Sequence, residues 1–283
     1  MRIDSHHHVW DLNIREQGWM VGDGLDAVRK NFSMSDLREQ SAGTGIEKTV
    51  LVQTVMLYDE TPEFLQLAAD DEFIAGVVGW LKIDAEDAIS HLDKYQSLPG
   101  NEYLVGIRDI AHDYPDPDYL AQPQVIKNVT ELGRRGYVYD ILSKTPQMKS
   151  AIELVKAAPN TQFVIDHISK PMIADQIIEP WAQMIKELAA FPNTVCKVSG
   201  MITEAKWDRW KIEDFRPYID VLLNCFGPSR LMFGSDWPVA LLAGSYKQVV
   251  GLAEELTSSL SESEKSDFWA GTAIRSYGLD LDI

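Results

Sequence analysis

Eight short runs of apolar and β-branched residues divide the 283-residue chain at regular intervals. Near-continuous runs of this kind are typical of parallel strands that are buried on both faces. The runs occupy residues 2–3, 48–55, 74–83, 104–110, 137–142, 162–168, 194–200 and 231–237. Most segments between them carry helix start and stop signals, such as the Ser33 and Asp36 pair and the glycine at position 227. Eight strands alternating with about eight helices, in a chain near the typical length of about 250 residues, predict a (β/α)8 TIM barrel.

A doubly wound open sheet is the alternative architecture for this alternation of strands and helices. The first run is not followed by a glycine-rich G-x-G-x-x-G turn, which favours the barrel. No internal repeat, low-complexity tract or shift in composition marks a boundary, so residues 1–283 are predicted to form one domain. The longest irregular segments, 10–32 and 201–214, are expected to overhang the barrel end at which active sites are built.

Charge and cysteine content restrict the class of partner. The chain has 43 acidic and 26 basic residues and a formal charge of -17, so its field should repel nucleic acid and anionic membranes. Cys196 and Cys225 lack the spacing of a disulfide framework or a thiolate metal site and are expected to be reduced. No segment approaches the roughly 20 apolar residues that span a bilayer. These features predict a soluble, cytoplasmic protein with a small-molecule partner; they indicate no oligomeric state.

The first run leads into three consecutive histidines, His6, His7 and His8. Because side chains on a strand alternate between faces, His6 and His8 point to one side and His7 to the other. Two convergent neutral imidazoles are typical of a divalent metal site, and such a site indicates hydrolysis. A surface strand end or the remnant of a tag is the alternative interpretation.

Two more side chains with suitable chemistry end later runs. His167 ends the sixth run, and Asp236 ends the eighth. Because a barrel closes on itself, the eighth strand lies beside the first, and Asp236 is predicted to lie next to the pair formed by His6 and His8. Taken singly, His167 is also compatible with a hydrogen-bonded core histidine, and Asp236 with the N-cap of the following turn.

Three motifs, in their order along the chain, resemble the amidohydrolase superfamily and in particular its lactonase branch. They are H-x-H at residues 6–8, D-H-x-x-K-P at residues 166–171 and F-G-S-D-W-P at residues 233–238. Weaker similar fragments occupy residues 106–108, 139–140, 196–200 and 275–279. The branch includes sugar-acid lactonases and a 2-pyrone-4,6-dicarboxylate lactonase. The resemblance therefore implies a barrel hydrolase that opens a lactone.

By this resemblance, His6, His8, His167 and Asp236 form the reaction centre and bind one divalent metal ion. Zinc is expected, because imidazoles and a carboxylate suit this borderline ion. Asp236 is expected to take the proton of the attacking water and to return it to the ring oxygen. A metal-free mechanism is the alternative, since lactones are activated esters. Arg108 stands where binuclear members carry a metal-bridging lysine, so a second metal ion is not expected.

Polar and aromatic residues near the strand ends are the candidates for substrate binding. They are Arg108, Tyr139, Lys197, Trp80, Asp109, His112 and Trp237. Tryptophan faces at the barrel mouth suit a sugar ring, although they also suit a purely structural cap. A dicarboxylate would need several bidentate arginines, and few cations are well placed. A neutral aldonolactone of carbohydrate catabolism is therefore favoured. The alternatives are a metal-dependent decarboxylase of the same superfamily, a 2-pyrone dicarboxylate-type lactonase, and a barrel that binds sugar acids without turnover.

Overall fold

Eight parallel strands form the centre of the structure, a computed structural model that describes residues 1–281; residues 282 and 283 of the predicted domain lie outside the described residues. The strands are β1 (Ile3–His7), β2 (Lys48–Val52), β3 (Ile74–Gly79), β4 (Leu104–Asp109), β5 (Val138–Ile141), β6 (Phe163–Ile165), β7 (Thr194–Val198) and β8 (Leu231–Phe233). They pair in sequence order. The amide of Asp236 donates to the carbonyl of His6 (2.8 Å), and that of His8 donates to the carbonyl of Trp237 (2.7 Å), which joins β8 to β1. The predicted (β/α)8 barrel is confirmed.

Helices follow the strands, and all but the last cover the outside of the barrel. They are α1 (Met34–Ser41), α2 (Glu60–Asp70), α3 (Ala88–Tyr95), α4 (Pro123–Arg134), α5 (Met148–Ala157), α6 (Trp181–Ala189), α7 (Arg216–Phe226), α8 (Tyr246–Leu256), α9 (Glu262–Ser266) and α10 (Thr272–Tyr277). The predicted capping box of Ser33 and Asp36 starts α1. Within residues 1–281, no helix has both the length and the apolarity that crossing a membrane requires.

The barrel interior is filled in layers along the strand direction. Apolar side chains of the strands form the first layer, together with Ala273, Ile274 and Tyr277 of α10. The strand residues of this layer are Ile3, Val50, Val52, Val78, Val138, Val164, Val195 and Met232. Because inward-facing residues recur every second position, the next inward residues are Asp140 of β5, Asp166 directly after β6 and Lys197 of β7. A charged layer therefore lies between the apolar base of the barrel and its open end.

Candidate active site

Four side chains meet at the barrel end where the strands finish. His6 belongs to β1 and His8 follows it, His167 follows β6, and Asp236 follows β8. The Nε2 atoms of His6 and His8 are 3.2 Å apart. Asp236 Oδ1 lies 3.9 Å from Nε2 of His6, 3.5 Å from Nε2 of His8 and 3.7 Å from Nε2 of His167. All four residues are buried. The structure thus brings together the four residues that the sequence placed at a reaction centre.

Unusual backbone conformations orient two of these side chains. His167 has φ 49° and Asp236 has φ 57°, in the left-handed region that residues other than glycine rarely adopt. Such conformations cost of order 1–3 kcal/mol and are concentrated at functional sites. They end the strand alternation, so that each side chain turns toward the barrel mouth. Gly200, with φ 61°, makes room for this turn, because a Cβ there would lie 2.8 Å from His167 Nδ1.

Hydrogen bonds behind the imidazoles control which nitrogen faces the centre. His8 Nδ1 lies 2.8 Å from the carbonyl oxygen of Val52. Since a carbonyl only accepts, His8 donates from Nδ1, and its Nε2 faces the other three residues. Burial lowers the pKa of His6 and of His167 well below the usual value, so both imidazoles are neutral at pH 7. His7 faces away and lies 3.0 Å from the hydroxyl of Thr49.

A buried set of four charges lies directly beneath the centre. Lys197 Nζ donates to Asp140 Oδ2 at 2.6 Å and lies 3.1 Å from Asp166 Oδ1, while Arg108 donates to Asp166 Oδ2 at 3.0 Å. Two cations therefore balance two carboxylates. Burial raises the pKa of Asp140 to about 6. At Asp166, Lys197 and Arg108 outweigh the effect of burial and lower the pKa to about 2.

This charged layer touches the reaction centre through His6. Lys197 Nζ is 3.2 Å from His6 Nδ1, and Arg108 Nη1 is 3.2 Å from His6 Nε2. Sequence reasoning missed Asp140 and Asp166 as parts of the site. The sequence feature that could have identified them is a carboxylate two positions after a valine in an otherwise apolar run.

A cavity of about 160 Å³ opens above the centre. Its lining residues are His8, Trp10, Trp19, Thr54, Arg108, Ile110, His112, Asp113, Leu142, His167, Lys170, Asp236 and Val239. A groove of about 530 Å³ adjoins it and shares the side chains of Trp19, Thr54, Ile110 and Asp113. The lining combines aromatic and aliphatic surface with a few polar groups, which is typical of small-molecule sites.

Two of the seven residues predicted to bind substrate, Arg108 and His112, line this cavity. Burial lowers the pKa of His112 to about 3, so the imidazole is neutral. The other five do not line it. Lys197 points inward but lies one layer deeper, where it bridges two carboxylates.

Strand phase explains the positions of three of the remaining four, namely Tyr139, Trp237 and Asp109. Tyr139 belongs to the hydrophobic cluster outside the strands, one position out of phase with the inward-facing aspartate that follows it. Trp237 is likewise one position out of phase with Asp236, and it packs edge to face on Phe32. Trp80 donates to Asp109 at 2.9 Å within the wall, and burial raises the pKa of that carboxyl.

The donor set at the centre fits one divalent ion. Ligand atoms of His6, His167 and Asp236 lie within 4.8 Å of one another. The lone pair of His8 Nε2 faces the same point. Zinc–nitrogen bonds of about 2.0–2.1 Å put tetrahedral donors about 3.3 Å apart, close to the 3.2 Å between the nitrogens of His6 and His8. Two imidazole lone pairs at this separation repel each other unless a proton or a cation lies between them.

Comparisons with known proteins agree with this geometry. The family model described as amidohydrolase matches residues 3–279. L-fucono-1,5-lactonase from Burkholderia multivorans is 34% identical over 290 residues, which cover 99% of this chain and 96% of the relative. L-rhamnono-gamma-lactonase from Scheffersomyces stipitis is 26% identical over 156 residues, which cover 48% of this chain and 46% of the relative. A crystal structure of an amidohydrolase from Burkholderia multivorans with bound zinc superposes with a TM-score of 0.92, at 34% identity and 99% coverage of both chains. The chain belongs to the amidohydrolase family.

Proposed function

We propose that this protein is a hydrolase that opens the ring of a sugar-acid lactone, in carbohydrate catabolism. The observation that carries the proposal is the convergence of Asp236 on the imidazoles of His6, His8 and His167 at the barrel mouth. Sequence similarity supports it, since an L-fucono-1,5-lactonase is 34% identical over almost the whole chain.

In this reaction a water oxygen bonds to the lactone carbonyl carbon, and the bond from that carbon to the ring oxygen breaks. Asp236 takes a proton from the attacking water and delivers it to the ring oxygen, which leaves as a hydroxyl group. The negative charge that develops on the carbonyl oxygen needs fixed donors. Arg108 suits this role, because it lines the cavity and is held in place by Asp166 (3.0 Å) and by the carbonyl oxygen of Gln53 (2.6 Å).

His6, His8, His167 and Asp236 are the residues that would hold a divalent ion, which we propose to be zinc. When bound, such an ion lowers the pKa of the attacking water and polarises the carbonyl group. The neutral imidazoles keep their lone pairs available for this ion because they are buried. The same residues orient the substrate and the water whether or not the ion is required for turnover.

The lining of the cavity favours a polyhydroxylated, uncharged ring. Trp10 and Trp19 offer apolar faces, and His112, Asp113 and Lys170 offer polar groups that suit hydroxyls. Among residues 1–281, a single arginine lines this cavity, whereas a dicarboxylate or an aromatic acid awaiting decarboxylation needs more fixed positive charge. The sugar lactone is therefore the better candidate than either alternative.

A pH-indicator screen of 1,4- and 1,5-aldonolactones tests the proposal, with L-fucono-1,5-lactone included and the enzyme-free rate subtracted. We expect release of one proton for each lactone opened. Parallel reactions with a chelator, followed by added zinc, measure how far turnover depends on the metal. Carbon dioxide release from an aromatic acid, or lactone binding without proton release, would contradict the proposal.

A further inference from the structure

The last helix packs into the barrel from the end opposite the reaction centre, and one of its side chains reaches the charged layer. Tyr277 of α10 packs in the apolar first layer, and only its hydroxyl reaches the charged layer above. That hydroxyl donates to Asp140 Oδ2 at 2.7 Å. The ring lies 5.3 Å from Lys197 Nζ, within the range of a cation–π contact. The C-terminal helix therefore contributes directly to the charges beneath the site.

The contacts continue from this hydroxyl to the reaction centre. Tyr277 and Lys197 donate to the same oxygen of Asp140, while Asp140 Oδ1 has no hydrogen-bond partner among the described residues. Lys197 then reaches His6 Nδ1 at 3.2 Å and Asp166 at 3.1 Å. All of these side chains are buried, so no bulk water can replace a lost donor at low cost.

We propose that Tyr277 is a positioning residue that holds Asp140 and Lys197 in place and, through them, fixes the orientation of His6. The inference rests on the proposed hydrolysis only where turnover is the readout. Without the phenol hydroxyl, Asp140 keeps Lys197 as its single donor and draws the ammonium away from His6 and Asp166.

The test is a double-mutant cycle of Tyr277→Phe and Asp140→Asn, measured in the full-length enzyme. Phenylalanine keeps the ring packing and removes the hydroxyl alone. We expect Tyr277→Phe to lower kcat by roughly three- to tenfold in the wild-type background with little change in KM. In the Asp140→Asn background the same change should lower kcat by less than about twofold, because asparagine lacks the ion pair with Lys197 through which the hydroxyl acts.

Thr272→Val is the matched control, because it removes a buried hydroxyl from the same helix. The Thr272 hydroxyl donates to the carbonyl of Ser229, outside the charged layer, at 3.0 Å. We expect this control to lower the melting temperature about as much as Tyr277→Phe while leaving kcat unchanged. Equal loss of kcat in both single variants, or an equal effect of Tyr277→Phe in both backgrounds, would overturn the proposal.

A readout that needs no substrate separates this inference from the proposed function. In nitrogen-15 NMR of histidine-labelled protein, Tyr277→Phe should shift the ring signals of His6, assigned with a His6→Gln variant, and Thr272→Val should not. Unmoved His6 signals in Tyr277→Phe would refute the positioning role, even if the wild-type enzyme opens lactones. Moved signals in an enzyme that opens no lactone would refute the proposed function alone.

Discussion

Replacing Asp236 with asparagine removes the proposed general base with little change in shape. Asparagine is one of the few residues that tolerate the left-handed conformation found here, at φ 57°. The backbone amide keeps its 2.8 Å bond to the carbonyl of His6. Because fold and side-chain volume are preserved, we expect the free energy of unfolding to change by about 1 kcal/mol or less.

The effect on turnover should be much larger. Loss of a positioned general base costs roughly two to four orders of magnitude in rate. At 1.36 kcal/mol for each factor of ten, this is about 3 to 5 kcal/mol of activation free energy. Initial rates of L-fucono-1,5-lactone opening, followed by pH indicator with saturating zinc and again with chelator, measure the loss in both states.

Asp113→Asn is the matched control, since Asp113 is a second carboxylate in the cavity wall and contacts none of the three imidazoles of the centre. We expect it to raise KM more than it lowers kcat. If Asp236→Asn retained a kcat within about threefold of wild type, or if both variants lost kcat equally, Asp236 would not be the base.

Three further predictions concern the support of the site and the surface. Lys197→Met leaves the buried Asp140 without its cation and Asp166 with Arg108 alone, and it should cost about 3–5 kcal/mol in denaturant unfolding. Lys170→Met, in a partly exposed pair, should cost less than about 1 kcal/mol, and similar costs for the two variants would refute the ion-pair argument. Gly200→Ala and Gly136→Ala should each cost about 1–2 kcal/mol of backbone strain. Only Gly200→Ala places a Cβ against the imidazole of His167, and only this variant should also lose at least about tenfold in kcat. Normal turnover of Gly200→Ala would exclude this clash. Hydrogen bonds from the two following arginines lower the pKa of Glu131 from 4.5 to about 2, so its contribution to stability is complete above pH 4.5 and is lost as the pH falls through 2. Glu131→Gln should therefore lower the free energy of unfolding by up to about 1 kcal/mol at pH 7 and by less at pH 3. A loss that grew on acidification would contradict the lowered pKa of Glu131.

The strands were predictable from sequence, but their ends were not. Apolar runs located all eight strands, because parallel strands covered on both faces need continuous apolar sequence. The sixth run was predicted to extend through residue 168, whereas β6 ends at Ile165. The chain leaves the strand there in positive φ, at His167 and the three residues after it. Tertiary contacts impose this conformation, and the conformational preferences of these residue types do not predict it.

Helix ends show a similar limit. A glycine such as Gly133 at the end of a helical segment is a typical stop signal, yet α4 continues to Arg134. The glycine is needed for a different reason, because a Cβ there would lie 2.2 Å from the hydroxyl oxygen of Thr161. Glycine is favoured both where two backbones approach closely and where a helix stops, so the sequence does not distinguish the two causes. The positive φ that follows this helix belongs to Gly136.

The convergence of four side chains at the barrel mouth was predictable from sequence, whereas the residues around them were only partly predictable. Histidine and aspartate are residue types with catalytic and metal-binding chemistry, and their position at strand ends is visible in the sequence. His6, His8, His167 and Asp236 could be selected in this way. The wall residues depend on strand phase, and a strand buried on both faces gives no polar alternation from which to read that phase. Depth inside the barrel depends in addition on the stagger between strands, which explains why Lys197 lies below the cavity.

The most direct measurement is a crystal structure of the Asp236→Asn variant with an unopened aldonolactone. We expect the lactone in the cavity above His8, with its carbonyl carbon about 3–3.5 Å from a water held by residue 236. The guanidinium of Arg108 should lie within hydrogen-bond distance of the carbonyl oxygen. A lactone bound with its carbonyl away from these residues, for example in the adjoining groove, would contradict the proposed reaction centre.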